Sequence, residues 1–209
     1  MKKIVISFVS QKGGVGKSTL ARAFATAASQ TGHAVKLADL DTQQATVVDW
    51  HRQRLNNGYA SIGSVEVFRK ASDAIKHADS YDFLILDGAA RASSATLEVA
   101  EVSDLVVLPT CASRDDLMPA VKLAHELQRH GIANDALVLA LTRVSTESEI
   151  EDARAFISDS GHTVLQGCLY EKPSYRQAQN EGLSVIETRY QTLNKKADAL
   201  ISSIISHLS

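Results

Sequence analysis

The sequence contains little of what several large classes of protein depend on. Only two cysteines occur, Cys111 and Cys168, and they stand far apart without a CxxC pair. This excludes a disulfide framework, argues against a cysteine-based zinc site and favours a reducing compartment, so we expect a cytoplasmic protein. No apolar run approaches the ~20 residues that a membrane-spanning helix needs.

The chain also has almost no excess of charge. Lys and Arg total 22 against 24 Asp and Glu, which gives a formal net charge of −2. Bulk charge therefore does not indicate a nucleic-acid-binding protein, and any contact with DNA would need a local basic patch. Hydrophobic residues make up 44% of the 209 residues, which is ordinary for a globular domain with a sizeable core.

The first residues, Met1–Val9, combine two lysines with a short apolar stretch, as the start of a signal peptide does. The stretch is too short, however, and it runs directly into glycines and a lysine, so a buried first strand is the better interpretation. Because this strand would begin at about residue 3, we expect residues 1–209 to form a single domain without an N-terminal accessory domain.

Short apolar runs alternate along the chain with longer segments of helical periodicity. The predicted strands are Ile4–Val9, Ala34–Ala38, Val65–Phe68, Phe83–Leu86, Leu105–Leu108, Leu137–Leu141 and Val164–Leu165. The predicted helices are Lys17–Gln30, Thr42–Leu55, Ala71–Ala78, Ser94–Ala100, Asp115–His130, Glu147–Ser158 and, roughly, Tyr190–Leu208. This order predicts an α/β fold, in which a mostly parallel twisted sheet carries helices on both faces.

Between the first strand and the first helix lies a glycine-rich loop, Lys12-Gly13-Gly14-Val15-Gly16-Lys17-Ser18-Thr19. Such a P-loop surrounds phosphates with backbone N–H groups at a helix N-terminus, because glycines let the backbone come close. Lys17 would reach the terminal phosphates, Ser18 would bind Mg²⁺, and Thr19 would line the α-phosphate region. The general pattern has a glycine where this chain has Gln11, and a second lysine, Lys12, precedes the glycines. The loop predicts a P-loop NTPase that binds a nucleoside triphosphate with Mg²⁺.

Phosphoryl transfer also needs carboxylates that position the metal. The apolar run Phe83–Leu86 ends in Asp87, at the carboxyl end of a predicted strand, where open α/β sheets bind ligands. Asp87 would hold Mg²⁺ through water. The alternative is an aspartate that caps a helix or a turn.

A second acidic pair, Asp39 and Asp41, follows the strand Ala34–Ala38. Alternation along an extended chain puts the two carboxylates on one side, and Asp41 lies nearer to the loop. We therefore expect Asp41 to position the hydrolytic water or its metal. The alternative is an N-cap for the helix predicted to begin at Thr42.

These motifs together resemble those of the ParA/MinD ATPases. The loop from Lys12 to Thr19 matches their deviant Walker A motif. The segment Asp39–Gln43 resembles their D-x-D-P-Q switch, with Thr42 in place of proline, and Asp87-Gly88-Ala89 occupies their second switch. The resemblance covers essentially the whole chain and is strongest to the small plasmid partition ATPases (ParA, including the ParF type), which lack an N-terminal helix-turn-helix domain.

The resemblance implies a slow Mg-dependent ATPase that forms a homodimer on ATP and binds DNA non-specifically in the nucleoid. It implies a role in plasmid or chromosome partition with a centromere-binding, ParB-like adaptor that stimulates hydrolysis. Lys12 would be the signature lysine that crosses the dimer to the other copy's phosphates and supports transition-state charge. Thr142, Arg143 and Pro173, with the loop from Tyr170 to Tyr175, would border the adenine. The alternative for Arg143 is an ordinary role in its loop.

Basic side chains that could contact DNA phosphates cluster in the last quarter of the chain. They are Lys172, Arg176, Arg189, Lys195 and Lys196. The main alternative function is that of a MinD-like membrane-cycling ATPase, which would need a basic amphipathic tail. The tail has no Lys or Arg after Lys196, so a helix docked on the core is favoured and no membrane partner is expected.

Three further alternatives keep the same fold. A reductase would need cysteines that bridge a metal cluster, and neither Cys111 nor Cys168 lies in a suitable motif. A metabolic ligase would not need Lys12. A nucleotide-dependent scaffold would bind ATP with negligible turnover.

Overall fold

The computed structural model describes residues 3–88 and 94–208. The strands are β1 (Ile4–Phe8), β2 (Val35–Asp39), β3 (Ser64–Val67), β4 (Phe83–Asp87), β5 (Leu105–Thr110), β6 (Leu137–Val144), β7 (Thr163–Val164) and β8 (Leu169–Tyr170). The helices are α1 (Lys17–Gln30), α2 (Thr46–Asn56), α3 (Ala71–Lys76), α4 (Ser94–Glu101), α5 (Arg114–Arg129), α6 (Glu147–Asp159), α7 (Pro173–Asn180) and α8 (Gln191–Ser206).

The strands form one parallel sheet in the order β3-β2-β4-β1-β5-β6-β7, and β8 pairs with β6. The predicted α/β fold is confirmed. The register aligns Asp39 of β2 with Asp87 of β4, and Asp87 with Phe8 of β1. Three carboxyl ends therefore meet beside the loop that follows β1, which is where a parallel sheet binds its ligands.

Two apolar layers cover the sheet, because its central strands β2, β4, β1, β5 and β6 are almost entirely buried. In one layer the strands pack against α1, α2 and α8 through side chains that include Phe8, Phe24, Trp50, Leu200 and Ile204. In the other they pack against α4, α5 and α6 through side chains that include Leu84, Leu108, Leu123, Leu127 and Ile157. Within the two described stretches, no helix combines the length and the apolarity that crossing a bilayer demands.

The structure corrects the predicted start of α2, which lies at Thr46 and not at Thr42. The Asp41 carboxylate accepts the N–H groups of Gln43 and Gln44, each at 3.2 Å, and so closes a separate turn. Ala45 then takes a left-handed conformation with φ 48° before the helix begins. Local side-chain hydrogen bonds therefore outweigh the helical periodicity at this point.

Helix α7 was missed by the sequence analysis. Its eight residues are mainly polar, and only Tyr175 and Ala178 are buried, so the apolar stripe that marks a helix is almost absent. Pro173 occupies its first turn, where a missing N–H costs nothing.

The segment that follows α7 packs closely against α2. The Arg54 guanidinium donates to both carboxylate oxygens of Glu187 at 2.8 Å, and the two side chains are only 4% and 14% exposed. Trp50 donates its indole N–H to the Leu183 carbonyl at 3.1 Å. At Gly182, with φ +81°, an added Cβ would lie 2.3 Å from the backbone nitrogen of Arg54, so only glycine permits this close approach of the two segments. These contacts fix α2 to the chain beyond α7.

The Arg54–Glu187 ion pair should make stability fall in acid. Burial alone would raise the pKa of Glu187, but the hydrogen bond from Arg54 and the Ser184 N–H outweigh it and hold the pKa below its usual value. The stabilisation is therefore complete above the unfolded pKa of about 4.3 and is lost as the pH falls through the folded pKa.

We expect Glu187→Gln to lower the free energy of unfolding at pH 7 by about 3 kcal/mol, because it leaves the Arg54 charge buried and unpaired. Urea titrations at pH 7 and pH 3 measure this. The difference in the free energy of unfolding between the variant and wild type should be smaller at pH 3. Asp49→Asn, which removes the exposed partner of Arg52, serves as the control and should cost less than about 1 kcal/mol. Equal stability of Glu187→Gln and wild type at pH 7 would contradict the prediction.

Candidate functional site

The glycine-rich loop is shaped by two glycines in a conformation that other residues avoid. Gly14 has φ 78° and Gly16 has φ 96°, both in the left-handed region. Gly16 is also the N-cap of α1 and, as a glycine, has no side chain with which to cap the first turn of this helix. The first N–H groups of α1 are therefore left for another acceptor, and the helix dipole favours an anion there.

Two residues at the end of β6 hold the loop from one side. The Thr142 hydroxyl, which is fully buried, donates to the Val15 carbonyl at 2.7 Å. Arg143, with φ 52°, donates from Nη1 to the Gly14 carbonyl at 3.0 Å and from Nε to the Glu171 carboxylate at 2.6 Å. Thr142 and Arg143 were predicted to border a base, and the structure places both against the loop itself.

The two lysines of the loop point to different places. Lys17 is buried, and its Nζ lies 3.4 Å from the Lys12 carbonyl. Burial lowers the pKa of Lys17, against the opposing effect of the Asp87 and Asp41 charges. The Lys12 ammonium instead lies 2.6 Å from Asp116 at the start of α5, and this hydrogen bond raises the pKa of Lys12. Ser113 donates to the other oxygen of Asp116, so the acceptor for Lys12 is itself held in position.

Asp87 is a buried carboxylate with too little compensation. Its burial raises its pKa to about 7, the hydrogen bond from Ser18 acts in the opposite direction, and the nearby charge of Asp39 raises it further. Among the residues that the structure describes, Oδ1 of Asp87 has no hydrogen-bond partner. A buried carboxylate oxygen beside a serine hydroxyl fits Mg²⁺, which prefers oxygen ligands and would supply the missing positive charge.

The Asp39 and Asp41 side chains have distinct surroundings. Asp39 is fully buried, and its two oxygens accept the N–H groups of Asp41 and Val47, each at 3.0 Å. Burial raises the pKa of Asp39, and the two backbone hydrogen bonds oppose this. Asp41 is only half-buried and caps the turn that precedes α2. Asp39 therefore organises the loop, and Asp41 stands at its more accessible end.

A cavity of about 320 Å³ opens between the loop and α7. Residues from the loop and α1 form one wall: Gly14, Gly16, Lys17, Ser18 and Thr19. The other wall combines Arg143, Leu169, Tyr170, Glu171, Lys172, Tyr175, Arg176 and Gln179. Gln179 was missed by the sequence analysis. Its spacing of four from Tyr175 would put both on one side of a helix, but α7 itself was not recognised.

The remaining predicted residues have clear positions. Gly13 is exposed, Val15 is buried, and Pro173 lies at the exposed start of α7 and does not line this cavity. Among the basic side chains, Arg176 pairs with Glu171 at 2.9 Å. Lys196 lies 4.0 Å from the centre of the Tyr170 ring, and Arg189 lies 4.9 Å from that of Tyr190. Lys172, Arg176 and Lys196 thus gather beside the cavity, and the exposed Lys195 precedes Lys196 on α8. Ala89 lies outside the described residues.

An anion cradle at a helix N-terminus, a buried lysine and an unpaired carboxylate at the sheet edge define a P-loop nucleotide-binding protein. Residues 6–185 match the family model described as the CobQ/CobB/MinD/ParA nucleotide binding domain, and the chain belongs to this family.

Solved structures share the fold over nearly the whole chain. The cell division ATPase MinD from Pyrococcus furiosus is 21% identical with a TM-score of 0.77, and the match covers 97% of this chain and 98% of that one. MinD from Pyrococcus horikoshii, solved with Mg-ADP, is 18% identical with a TM-score of 0.76, and the match covers 97% of this chain and 96% of that one. A putative plasmid partition protein from Borrelia burgdorferi, solved with AMPPNP, is 15% identical with a TM-score of 0.74, covering 99% of both chains. No curated protein matches the sequence at a significant level.

The uncompensated Asp87 should make the nucleotide-free protein less stable as the pH rises. Its folded pKa of about 7 lies above the unfolded value of about 3.9, so its contribution falls as the pH rises between these two values. We expect Asp87→Asn to raise the Tm of the metal-free protein at pH 8 by at least about 3 °C and to leave it unchanged at pH 4. Calorimetric melting at the two pH values measures this. An equal shift in Tm at pH 8 and pH 4 would refute the claim that the buried Asp87 charge destabilises the metal-free protein.

Proposed function

We propose that this protein is a Mg-dependent ATPase of the ParA type, which dimerises on binding ATP, binds DNA without sequence preference and partitions plasmid or chromosomal DNA. It would work in the cytoplasm with a centromere-binding, ParB-like adaptor. The observation that carries the proposal is the contrast between the two loop lysines. Lys17 lines the cavity, whereas Lys12 is held outside it by Asp116. A second lysine that does not reach its own site is suited to serve a second copy of the chain.

The chemistry would follow from the residues of the loop, which line the cavity, and from the carboxylates Asp87 and Asp41, which follow the neighbouring strands and are not among the residues that line it. The loop N–H groups and Lys17 would hold the phosphates, and Ser18 and Asp87 would hold Mg²⁺, which would supply positive charge to offset that of the phosphates. Asp41 orients the attacking water. Lys12 of a second copy adds positive charge at the facing site, so that closure of the dimer and completion of the site are one event. Because ATP binds the dimer preferentially, its hydrolysis releases the two copies.

The position of α8 favours DNA over a membrane as the bound surface. Its apolar residues Ala197, Leu200, Ile201 and Ile204 are buried against the sheet, so this stripe is not available to a bilayer. Lys195 and Lys196 lie on the exposed part of the same helix. Electrostatic binding to phosphates needs only such exposed charges, which two copies of the chain would double.

The Asp41 assignment is tested by a pair of substitutions. We expect Asp41→Ala and Asp41→Asn to bind ATP within about threefold of wild type, to hydrolyse it at least about a hundredfold more slowly, and to accumulate as dimers. Lys17→Ala, the control, should lose binding. Phosphate release and light scattering with ATP are the measurements. Because asparagine keeps an oxygen that can cap the turn, wild-type hydrolysis by Asp41→Asn would reduce Asp41 to a structural role.

The choice of surface is tested by retention at matched salt. We expect ATP-dependent retention of the protein on duplex DNA of arbitrary sequence and none on anionic liposomes. Lys195→Ala should lower the slope of log K against log salt by about 1, because one phosphate contact is lost. Lys76→Ala, on α3, is the control and should leave the slope unchanged. Retention on liposomes but not on DNA would replace this proposal with the MinD-like alternative.

A further inference from the structure

Arg22 joins three parts of the molecule that are distant in sequence. It lies on α1, five residues after Lys17, and is half-buried. Its Nη2 donates to the Thr46 carbonyl at 2.8 Å, its Nη1 donates to Oε1 of Gln179 at 3.3 Å, and its guanidinium lies 5.4 Å from the centre of the Trp50 ring. One side chain therefore links the helix after the glycine loop to α2 and α7.

The bond to α2 falls on a peptide group that is also held from its other end. The Thr46 carbonyl and the Val47 N–H belong to the same peptide unit. Arg22 binds this carbonyl, and the buried Asp39 carboxylate accepts this N–H at 3.0 Å. The second oxygen of Asp39 accepts the N–H of Asp41. A movement of the Arg22 guanidinium would thus shift the Thr46–Val47 peptide and the Asp39 carboxylate bound to it. The backbone of Asp41, which is bound to the same carboxylate, would shift with it.

The bond to α7 falls on a residue that lines the cavity. Oε1 of Gln179 accepts from Arg22 and also from the Thr19 hydroxyl, at 3.2 Å. A hydroxyl has one proton to donate. A phosphate oxygen at Thr19 would compete for that proton, and a charged acceptor forms the stronger bond. Among the described residues, Oε1 of Gln179 would then keep Arg22 as its single donor.

Arg22 has the means to respond to such a change. Among the described residues its Nε has no acceptor, although the atom is buried, so one of its donors is unused. Its bond to Gln179 is long, whereas its bond to Thr46 is short. The carboxylates of Asp87 and Asp39 attract it, and burial, the larger effect, lowers the pKa of Arg22. The guanidinium is therefore held by unequal contacts that the release of Gln179 would redistribute.

We propose that Arg22 is a positioning residue that couples occupancy of the phosphate site at Thr19 to the Asp39–Asp41 loop. The Arg22 relay consists of Thr19, Gln179, Arg22, the Thr46–Val47 peptide and Asp39. It rests on the proposed function, because a bound phosphate is its input. It adds to that function a physical route by which the nucleotide sets the geometry of the segment that carries Asp41.

Trp50 offers an optical signal for this coupling. It is the only tryptophan in the chain and is 4% exposed, and the guanidinium groups of Arg22 and Arg54 lie 5.4 Å and 5.8 Å from its ring centre. A shift of Arg22 would change the electrostatic field at the indole. We expect Mg-ATP to alter the intrinsic fluorescence of the wild-type protein in proportion to occupancy.

The test compares Arg22→Met, Gln179→Met and the double variant, with Arg52→Met as a control for an exposed arginine on α2. Calorimetry measures Mg-ATP affinity, fluorescence measures the Trp50 response, and phosphate release gives kcat and KM. Arg22→Met should bind within about threefold of wild type, lose the Trp50 response and lose at least about tenfold in kcat. Gln179→Met should do the same, and the double variant should be no slower than the slower single variant by more than about twofold.

Wild-type fluorescence response and kcat in Arg22→Met would overturn the relay, as would losses that multiply in the double variant. If Arg22→Met fails to fold, Arg22→Lys decides, because it keeps the charge but presents one nitrogen in place of the fork. A normal response and kcat in that variant would also overturn the relay. Absence of Mg-ATP binding by the wild-type protein would overturn the proposed function and the relay together, whereas normal binding with unaffected variants overturns the relay alone.

Discussion

The site is organised around a buried negative charge that the protein does not neutralise by itself. Asp87 lies at the carboxyl end of β4, directly in register with Asp39 on β2, and both side chains are buried, so two negative charges oppose each other there. Lys17, Arg22 and the Ser18 hydroxyl oppose this charge but leave the pKa of Asp87 near 7. Burial of a charge is costly unless it is paired, and the protein keeps this cost at the one place where a divalent cation would remove it. The unfavourable free energy of burying the Asp87 charge would be relieved when a cation binds, and this relief would add to the affinity for the cation.

The same balance explains why the loop carries two lysines with different partners. A single chain can hold only a limited positive charge beside its own carboxylates, since Lys17 already has a pKa that burial lowers. The second lysine is kept half-exposed on Asp116, outside the cavity, where its charge costs little. A nucleotide adds several negative charges on one side of this arrangement. In the dimer that we propose, a second copy of the chain would supply its own Lys12, and this charge would favour the association.

Local chemistry made much of the fold and part of the site predictable. The P-loop could be recognised because its glycines and lysine follow one another directly, and most of the strands because they are continuous apolar runs. The start of α2 could not be predicted, because the hydrogen bonds of Asp41 with the backbone N–H groups of Gln43 and Gln44 compete with helix formation. Helix α7 was not predicted, because it buries only two side chains and so lacks the apolar periodicity that indicates a helix. The contacts of Gln179 with Thr19 and Arg22 span 160 and 157 residues, and no local pattern encodes them. The start of α2 was therefore missed for a local reason, whereas the contacts of Gln179 were missed because tertiary packing creates them.

The central claim is that the glycine loop and Asp87 together form a site for a magnesium nucleotide. A calorimetric titration of the purified protein with ATP, in the presence of Mg²⁺ and again with a chelator, tests this most directly. The account predicts saturable binding of one nucleotide per chain with Mg²⁺, and affinity at least about tenfold weaker with the chelator, because Asp87 then faces the phosphates without a cation. No heat of binding with Mg²⁺ present, or the same affinity with and without it, would contradict the account.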